Sequence, residues 1–164
     1  MSDEQLECVL TSWAADGQSL RRIRREVFID EQRVPESEEW DGEDNASVHA
    51  LARLNREPVG TGRLSSAGKI GRIAVIAGLR GRGIGALILR RLLEAAHDRG
   101  IREPYLHAQL QAVPFYEKFG FRGEGEVFDE AGILHVRMRH ATGATSSADP
   151  AAERNRNTLH HRDT

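Results

Sequence analysis

Apolar residues recur at helical spacing in two stretches of the chain. Residues 18–29 carry large apolar side chains three or four positions apart, which predicts an amphipathic helix. A longer pattern of the same kind covers residues 84–99, with Gly100 as the expected stop. Its apolar positions are Ile84, Leu87, Ile88, Leu92 and Ala95, widened by Leu89, Leu93 and Ala96. A stripe this wide predicts a well-buried helix.

Short apolar runs bounded by turn residues predict the strands. The predicted strands cover residues 47–54, 59–65, 69–76, 104–109 and 133–139. A short helix is predicted over residues 113–119, ended by Gly120, and an acidic segment over residues 36–44 is expected to be a solvated, mobile loop. Strands interleaved with helices predict an α/β (α+β) sheet with helices on its faces.

The length of 164 residues favours a single domain. We expect the folded body to span residues 1–140. Residues 141–164 are small and polar apart from Leu159, so they bury too little apolar surface to offset the entropy of ordering. This segment is predicted to be a disordered C-terminal tail.

Charge and cysteine content exclude several classes of protein. The net charge of -2 gives no reason to expect a nucleic-acid partner. The single cysteine, Cys8, cannot form a disulfide within the chain and leaves no material for cysteine zinc sites, so no metal is expected. The first ten residues carry three carboxylates and no long apolar run, and no stretch approaches a membrane span. These features predict a soluble, cytoplasmic protein.

A glycine-rich turn precedes the long helix. Gly81, Gly83 and Gly85 fall within five residues, directly before and inside the first helical turn. Glycine allows a ligand to approach the backbone closely, and the first amides of a helix have no partner inside it. A strand, a glycine turn and a helix N-terminus together predict an anion site suited to phosphate, with Arg80 and Arg82 adding positive charge.

Two nucleotide motifs fit this turn poorly. A Walker A loop requires Lys and then Ser or Thr after the glycines, where this chain has Gly85 and Ala86. A dinucleotide fingerprint is formally matched by Gly81, Gly83 and Ala86. Four residues separate the predicted strand from this match, however, and a nicotinamide-binding oxidoreductase therefore remains only an alternative.

A third motif fits better, because Arg80-x-x-Gly83-x-Gly85 resembles the pyrophosphate loop of the GNAT acetyltransferases. The resemblance covers roughly residues 20–139. It includes the block "YLHAQLQAVPFYEKFGF", with Phe115-Tyr116-Glu117-Lys118 before Phe119-Gly120-Phe121, and an early "REVFIDEQRVP".

The resemblance implies a GNAT fold, with a mixed, mostly antiparallel, splayed sheet flanked by helices. It also implies acetyl-CoA as co-substrate. Main-chain groups near Ala74 and Val75 would pair with its pantetheine arm, and the loop would hold its pyrophosphate. The implied loop contacts are Arg80, Gly81, Arg82, Gly83, Ile84, Gly85 and Ala86.

Acetylation of an amine requires removal of a proton from the ammonium and stabilisation of the departing thiolate. The resemblance places Tyr116 near the coenzyme sulfur, where its phenol can act as general acid. Four side chains are candidates for the base: Glu31, which we favour, and Asp41, His49 and His107. A chain of water molecules is the alternative to a side-chain base.

The predicted function is therefore acetyl transfer from acetyl-CoA to a primary amine by direct attack. The acceptor is a small molecule or a peptide. Six carboxylates between Glu36 and Asp44 would favour a cationic one if they formed a rim. The sequence is also compatible with a homodimer. A non-catalytic acyl-CoA-binding module on the same fold is the main alternative.

Overall fold

The computed structural model of the protein describes residues 4–141. These residues form two compact units, one running to Asp98 and the other beginning at Arg99. Both are built from antiparallel strands with helices, which confirms the predicted fold class. Apart from Ala141, the predicted disordered tail lies outside the described residues.

The first unit pairs its strands antiparallel in the order β1-β2-β3-β4. Ser12 caps its first helix by accepting a hydrogen bond from the Ala15 amide at 3.1 Å, and the helix continues as a π-helical stretch over Arg25–Glu31. The elements are β1 (Leu6–Thr11), α1 (Trp13–Arg24), α2 (Glu36–Glu39), β2 (Val48–Leu54), β3 (Glu57–Leu64), β4 (Lys69–Val75) and α3 (Ile84–Asp98).

The two long helices pack against opposite faces of these strands. Helix α1 and the stretch after it bury Leu20, Ile23 and Val27 against Leu51 and Ala74. Helix α3 approaches β3 at the alternate positions, Gly60 and Gly62, through Ile88 and its neighbours. The predicted burial of α3 is confirmed, since Ile84, Ile88, Leu89, Leu92, Ala95 and Ala96 are all buried.

Close packing of α3 on β3 depends on Gly62. A Cβ added there would lie 2.7 Å from Ile88 Cγ2 and 2.7 Å from Leu92 Cδ1. Gly62→Ala should therefore lower the free energy of unfolding by about 1–3 kcal/mol through overpacking. Urea denaturation measures this loss. Gly71→Ala on β4 is the control, because no atom lies within 4 Å of its added Cβ; equal stability of the two variants would contradict the prediction.

The second unit contains β5 (Tyr105–Gln109), α4 (Val113–Glu117), β6 (Phe121–Glu130) and β7 (Ile133–His140). Its strands pair antiparallel in the order β5-β7-β6. A two-residue turn joins β6 to β7, with φ of +55° at Ala131 and +79° at Gly132. No helix within residues 4–141 is long and apolar enough to cross a membrane.

Two strands were not predicted, and α1 begins earlier than predicted. Strand β6 contains two glycines and four carboxylates, and most of its residues are exposed. Strand β1 is short, and only Cys8 is buried in it. Strand β6 has no local pattern typical of a strand, and the apolar residues of β1 are few and mostly exposed, so pairing with β7 and with β2 determines the conformation of both.

Candidate active site

The glycine turn opens α3 as the sequence predicted. Gly81 and Gly83 adopt φ of +81° and +83°, a backbone region that favours glycine. The Leu87 amide donates to the Gly83 carbonyl at 3.1 Å, which begins the helical hydrogen bonding. The amides of Ile84, Gly85 and Ala86 precede that bond and so have no carbonyl partner within the helix. These amides and the helix dipole favour an anion at this end.

The outer side of this turn is open. A Cβ built on Gly78, Gly81 or Gly83 meets no atom of the described chain within 4 Å. The positive φ values at Gly81 and Gly83 therefore do not relieve a clash with neighbouring side chains. Added side chains at these glycines would project into open space at the start of α3, which is the end of a helix that favours a phosphate group.

Arg80 and Glu31 form a bidentate ion pair. Arg80 Nη1 lies 2.6 Å from Glu31 Oε2, and Arg80 Nη2 lies 2.7 Å from Glu31 Oε1. Arg80 Nε also donates to the Val75 carbonyl at 2.9 Å. The hydrogen bond from Arg80 holds the pKa of Glu31 below its usual value. The structure thus brings together the favoured base, the first loop residue and the end of β4.

Ala74 and Val75 differ in the direction of their main-chain groups. The Ile76 amide donates to the Val59 carbonyl at 3.1 Å, while the register sets Val75 opposite Gly60 and Ala74 opposite Thr61. Main-chain groups alternate sides along an antiparallel pair, so those of Ala74 face β3 and those of Val75 face away from it. Val75 is therefore the better placed of the two to meet a ligand outside this strand pair.

Tyr116 lies in α4 among aromatic rings. Its ring centroid is 5.1 Å from that of Phe115 and 5.9 Å from that of Phe121, both in edge-to-face geometry. The side chain is half-buried. Burial raises the pKa of Tyr116 to about 12, so the phenol keeps its proton at neutral pH. The residue is thus available as a proton donor.

Comparison with known proteins identifies the family to which the chain belongs. A family model described as an acetyltransferase (GNAT) domain matches residues 2–142. The chain belongs to the GNAT family. This match spans the glycine turn and Tyr116, so it decides against the dinucleotide interpretation of Gly81, Gly83 and Ala86.

Relatives of this GNAT protein support the same conclusion. The uncharacterized N-acetyltransferase YjcF of Bacillus subtilis is 43% identical over 120 residues, which cover 71% of this chain and 86% of the relative. A solved acyl-CoA N-acyltransferase of Pseudomonas aeruginosa has a TM-score of 0.74 at 29% identity, covering 84% of this chain and 100% of that one. These matches confirm the predicted fold and the enzyme class, an acyl-CoA N-acyltransferase.

A coenzyme complex of the same fold is also known. The PaiA N-acetyltransferase of Thermoplasma acidophilum was solved in complex with coenzyme A. Its TM-score to this GNAT protein is 0.64 at 19% identity, covering 84% of this chain and 99% of that one. At this identity the likeness shows a shared fold.

The acidic segment of this GNAT protein is fixed in place, and the prediction of a solvated, mobile loop is wrong. Arg24 is fully buried and binds Glu39 at 2.8 Å and Asp44 at 2.6 Å. Arg63 and Arg72 complete a network around the same carboxylates and Asp41. Because these arginines neutralise three of the six carboxylates, the segment carries much less net negative charge than its sequence alone indicates.

Two of the candidate bases belong to this network. Asp41 pairs with Arg63 at 2.7 Å and Arg72 at 3.3 Å. Burial opposes ionisation of Asp41, but the hydrogen bonds from Arg63 and the Glu43 amide and the charges of Arg63 and Arg72 together outweigh it and leave the pKa well below its usual value. His49 is fully buried, with Nε2 2.9 Å from the Asp44 carbonyl, and burial lowers its pKa. Neither side chain is placed to take a proton from a substrate.

Sequence reasoning missed the partners of the remaining candidates. The Glu31–Arg80 contact joins residues 49 positions apart, and His107 is paired with Glu130, 23 positions away. No local pattern signals such pairs, because they depend on which elements the fold brings together. Arg82, predicted in the loop, makes a longer, exposed contact of 3.2 Å with Glu4.

Proposed function

We propose that this GNAT protein transfers an acetyl group from acetyl-CoA to a primary amine of a small molecule or peptide by direct attack. The observation that carries the proposal is the open glycine turn at the start of α3, in a chain whose family is acyl-CoA N-acyltransferases. The coenzyme A complex of the PaiA relative supports the choice of co-substrate.

In this proposal the anion site holds the pyrophosphate of the coenzyme. The amides from Arg82 to Ala86 donate to its oxygens, with Gly81 and Gly83 supplying the backbone direction. The main chain at Val75, with Ala74 beside it, pairs with the pantetheine arm as an added strand would.

Glu31 and Arg80 have mainly a positioning role in the proposed site. Glu31 was predicted as the base, and this stays a prediction. Its carboxylate is neutralised by both terminal nitrogens of Arg80, which weakens it as a proton acceptor. We propose that Glu31 orients Arg80, which in turn holds the Val75 carbonyl and the entrance to the glycine turn.

The chemical step forms a C–N bond and breaks a C–S bond. A base removes a proton from the ammonium, and the free amine attacks the thioester carbonyl carbon. The tetrahedral intermediate loses the second nitrogen proton to solvent and collapses with departure of the thiolate. Tyr116 donates its phenolic proton to the sulfur and then regains a proton from solvent. A main-chain amide near Val75 stabilises the oxyanion. No covalent enzyme intermediate is needed, and burial raises the pKa of Cys8 to about 11, which keeps that thiol unreactive.

Two measurements test the proposal. Thermal unfolding is followed with acetyl-CoA, coenzyme A, NAD or NADP, and released thiol is then measured with spermidine, tyramine, glucosamine and a tripeptide with a free N-terminus. A ligand at 100 times its Kd adds about 2.7 kcal/mol, which should raise Tm by roughly 5–10 °C. Stabilisation by the two coenzyme A ligands and amine-dependent thiol release are expected. Binding without thiol release would indicate a non-catalytic module, and stabilisation by NAD alone would overturn the proposal.

Gly83→Val should abolish measurable binding of acetyl-CoA. A β-branched residue at φ of +83° is strained, and its side chain would fill the open space beside the first amides of α3. Calorimetry with acetyl-CoA measures the loss, expected to exceed about 10²-fold in Kd, equivalent to about 2.7 kcal/mol. Gly78→Ala is the control, because its added Cβ also meets nothing within 4 Å and its φ is not in the left-handed region. Normal binding by Gly83→Val would refute the site.

A further inference from the structure

His107 and Glu130 form a hydrogen-bonded pair in the second unit. His107 Nδ1 lies 2.9 Å from Glu130 Oε1, within good hydrogen-bond distance. His107 lies on β5, and Glu130 is the last residue of β6, directly before the turn to β7. The pair therefore joins two strands that are separated in the sheet by β7.

This contact sets the tautomer of His107. An ionised carboxylate can only accept hydrogen bonds, so Nδ1 must carry the proton that bonds Glu130. In the neutral imidazole the lone pair is then on Nε2, which is the nitrogen left to accept a proton. A carboxylate in this position also stabilises the imidazolium that forms when Nε2 is protonated.

The surroundings hold both side chains in position. The Phe128 ring meets the His107 ring edge-on, with centroids 5.0 Å apart. The turn after Glu130 is tied by the Gly132 amide, which donates to Asp129 Oδ1 at 3.0 Å. The second imidazole nearby, His135, lies 3.9 Å from Glu130 Oε2 and bonds the Ile133 carbonyl through Nδ1 at 2.7 Å. His107 itself is 21% exposed, so solvent reaches part of its side chain.

His107 also shares a chain segment with Tyr116. Strand β5 ends at Gln109, and a single helical turn leads from it into α4, which carries Tyr116. Of the four candidate bases, His107 combines partial exposure with a carboxylate that orients it. Glu31 and Asp41 are neutralised by arginines, and His49 is sealed in the core.

We infer that His107 is the general base of the proposed acetyl transfer and that Glu130 positions it. This inference rests on the proposed function. Nε2 of His107 takes a proton from the substrate ammonium, the amine nitrogen attacks the thioester carbon, and the C–S bond breaks. The nitrogen loses its second proton to solvent as the intermediate collapses, and the thiolate takes its proton from Tyr116, which is then reprotonated by solvent. Glu130 keeps the proton on Nδ1 and stabilises the imidazolium until it loses the extra proton to solvent.

The first test compares His107→Ala with His97→Ala, an exposed histidine on α3. Thiol release is measured with acetyl-CoA alone and with the amine panel, and the Kd for acetyl-CoA is measured by calorimetry. His107→Ala should lower kcat by about 10²- to 10⁴-fold, the usual contribution of general-base catalysis, with Kd changed less than about twofold. Added imidazole should restore activity to His107→Ala in proportion to its concentration and leave His97→Ala unchanged.

The second test asks whether Glu130 acts on catalysis through His107. Glu130→Gln should lower kcat by about 10-fold or more, since the amide no longer stabilises the imidazolium, whereas Glu126→Gln on the same exposed strand should not. The double variant His107→Ala/Glu130→Gln should be no slower than His107→Ala, because Glu130 acts only through His107. Additive losses would show that Glu130 has only a structural role.

The outcomes separate the two proposals. If the wild-type protein releases no more thiol with any amine of the panel than with acetyl-CoA alone, the proposed function is refuted. An active wild type with an equally active His107→Ala variant overturns the base assignment and leaves the proposed function intact. A slow His107→Ala variant that imidazole does not rescue also overturns it.

Discussion

Replacing Tyr116 with phenylalanine should lower kcat for acetyl transfer by about 10²- to 10³-fold, the loss expected when a general acid is removed. The affinity for acetyl-CoA should stay nearly unchanged. Phenylalanine keeps the ring contacts with Phe115 and Phe121 and removes only the hydroxyl group. The leaving thiolate then has no phenolic proton to accept. Initial rates of thiol release give kcat, and calorimetry gives the affinity.

The second tyrosine provides a matched control. Tyr105 lies on β5, with the Arg137 guanidinium 4.2 Å from its ring centroid. Tyr105→Phe also removes a phenolic hydroxyl group, but Tyr105 has no proton-transfer role in the proposed mechanism. Its kcat should therefore change by less than about threefold, equivalent to about 0.6 kcal/mol. Unchanged turnover in Tyr116→Phe would remove Tyr116 from the mechanism.

Arg24→Met should lower the free energy of unfolding by about 3–5 kcal/mol, because it removes one of the two arginines that neutralise each of the buried carboxylates Glu39 and Asp44. The Arg24 side chain is 0% exposed, and its partners Glu39 and Asp44 are 3% and 9% exposed. Arg24 Nη2 also donates to the Glu39 carbonyl at 3.1 Å. Methionine matches much of the length of arginine, so the loss comes mainly from the charges. Urea denaturation at neutral pH measures it.

The neighbouring Arg25 tests whether burial is the cause. Arg25 pairs with Glu36 at 2.6 Å, but the two side chains are 45% and 57% exposed. An exposed ion pair contributes little to stability, so Arg25→Met should unfold close to the wild-type midpoint. If both variants lost the same stability, the buried network would not anchor the acidic segment as described.

Sequence reasoning worked best where the pattern is local. The stripe from Ile84 to Ala96 repeats every three or four residues, and such a stripe forms a buried helix wherever a sheet covers it. The glycine turn was predicted for the same reason, because positive φ at Gly81 and Gly83 depends on the residue itself. The family motif extends this local information to a cofactor and a chemical reaction.

The acidic segment shows where local reasoning fails. The local sequence predicts that the carboxylates of Glu39, Asp41 and Asp44 are solvated. In the structure they pair with arginines from α1, β3 and β4. Those partners are up to 33 positions away along the chain. Whether a carboxylate is solvated or buried depends on these distant charges, since only a paired charge can be buried at low cost.

The sequence by itself therefore determined the fold class, the main helices, the glycine turn and, through its motifs, the family of this protein. These features depend on periodicity and residue type over a few neighbouring positions. Only the tertiary structure decided that β1 and β6 are strands, that Glu31 is neutralised by Arg80, and that His107 is oriented by Glu130. Each of these depends on a partner brought close by folding, and the proton affinity of a side chain is set by the charges and burial around it.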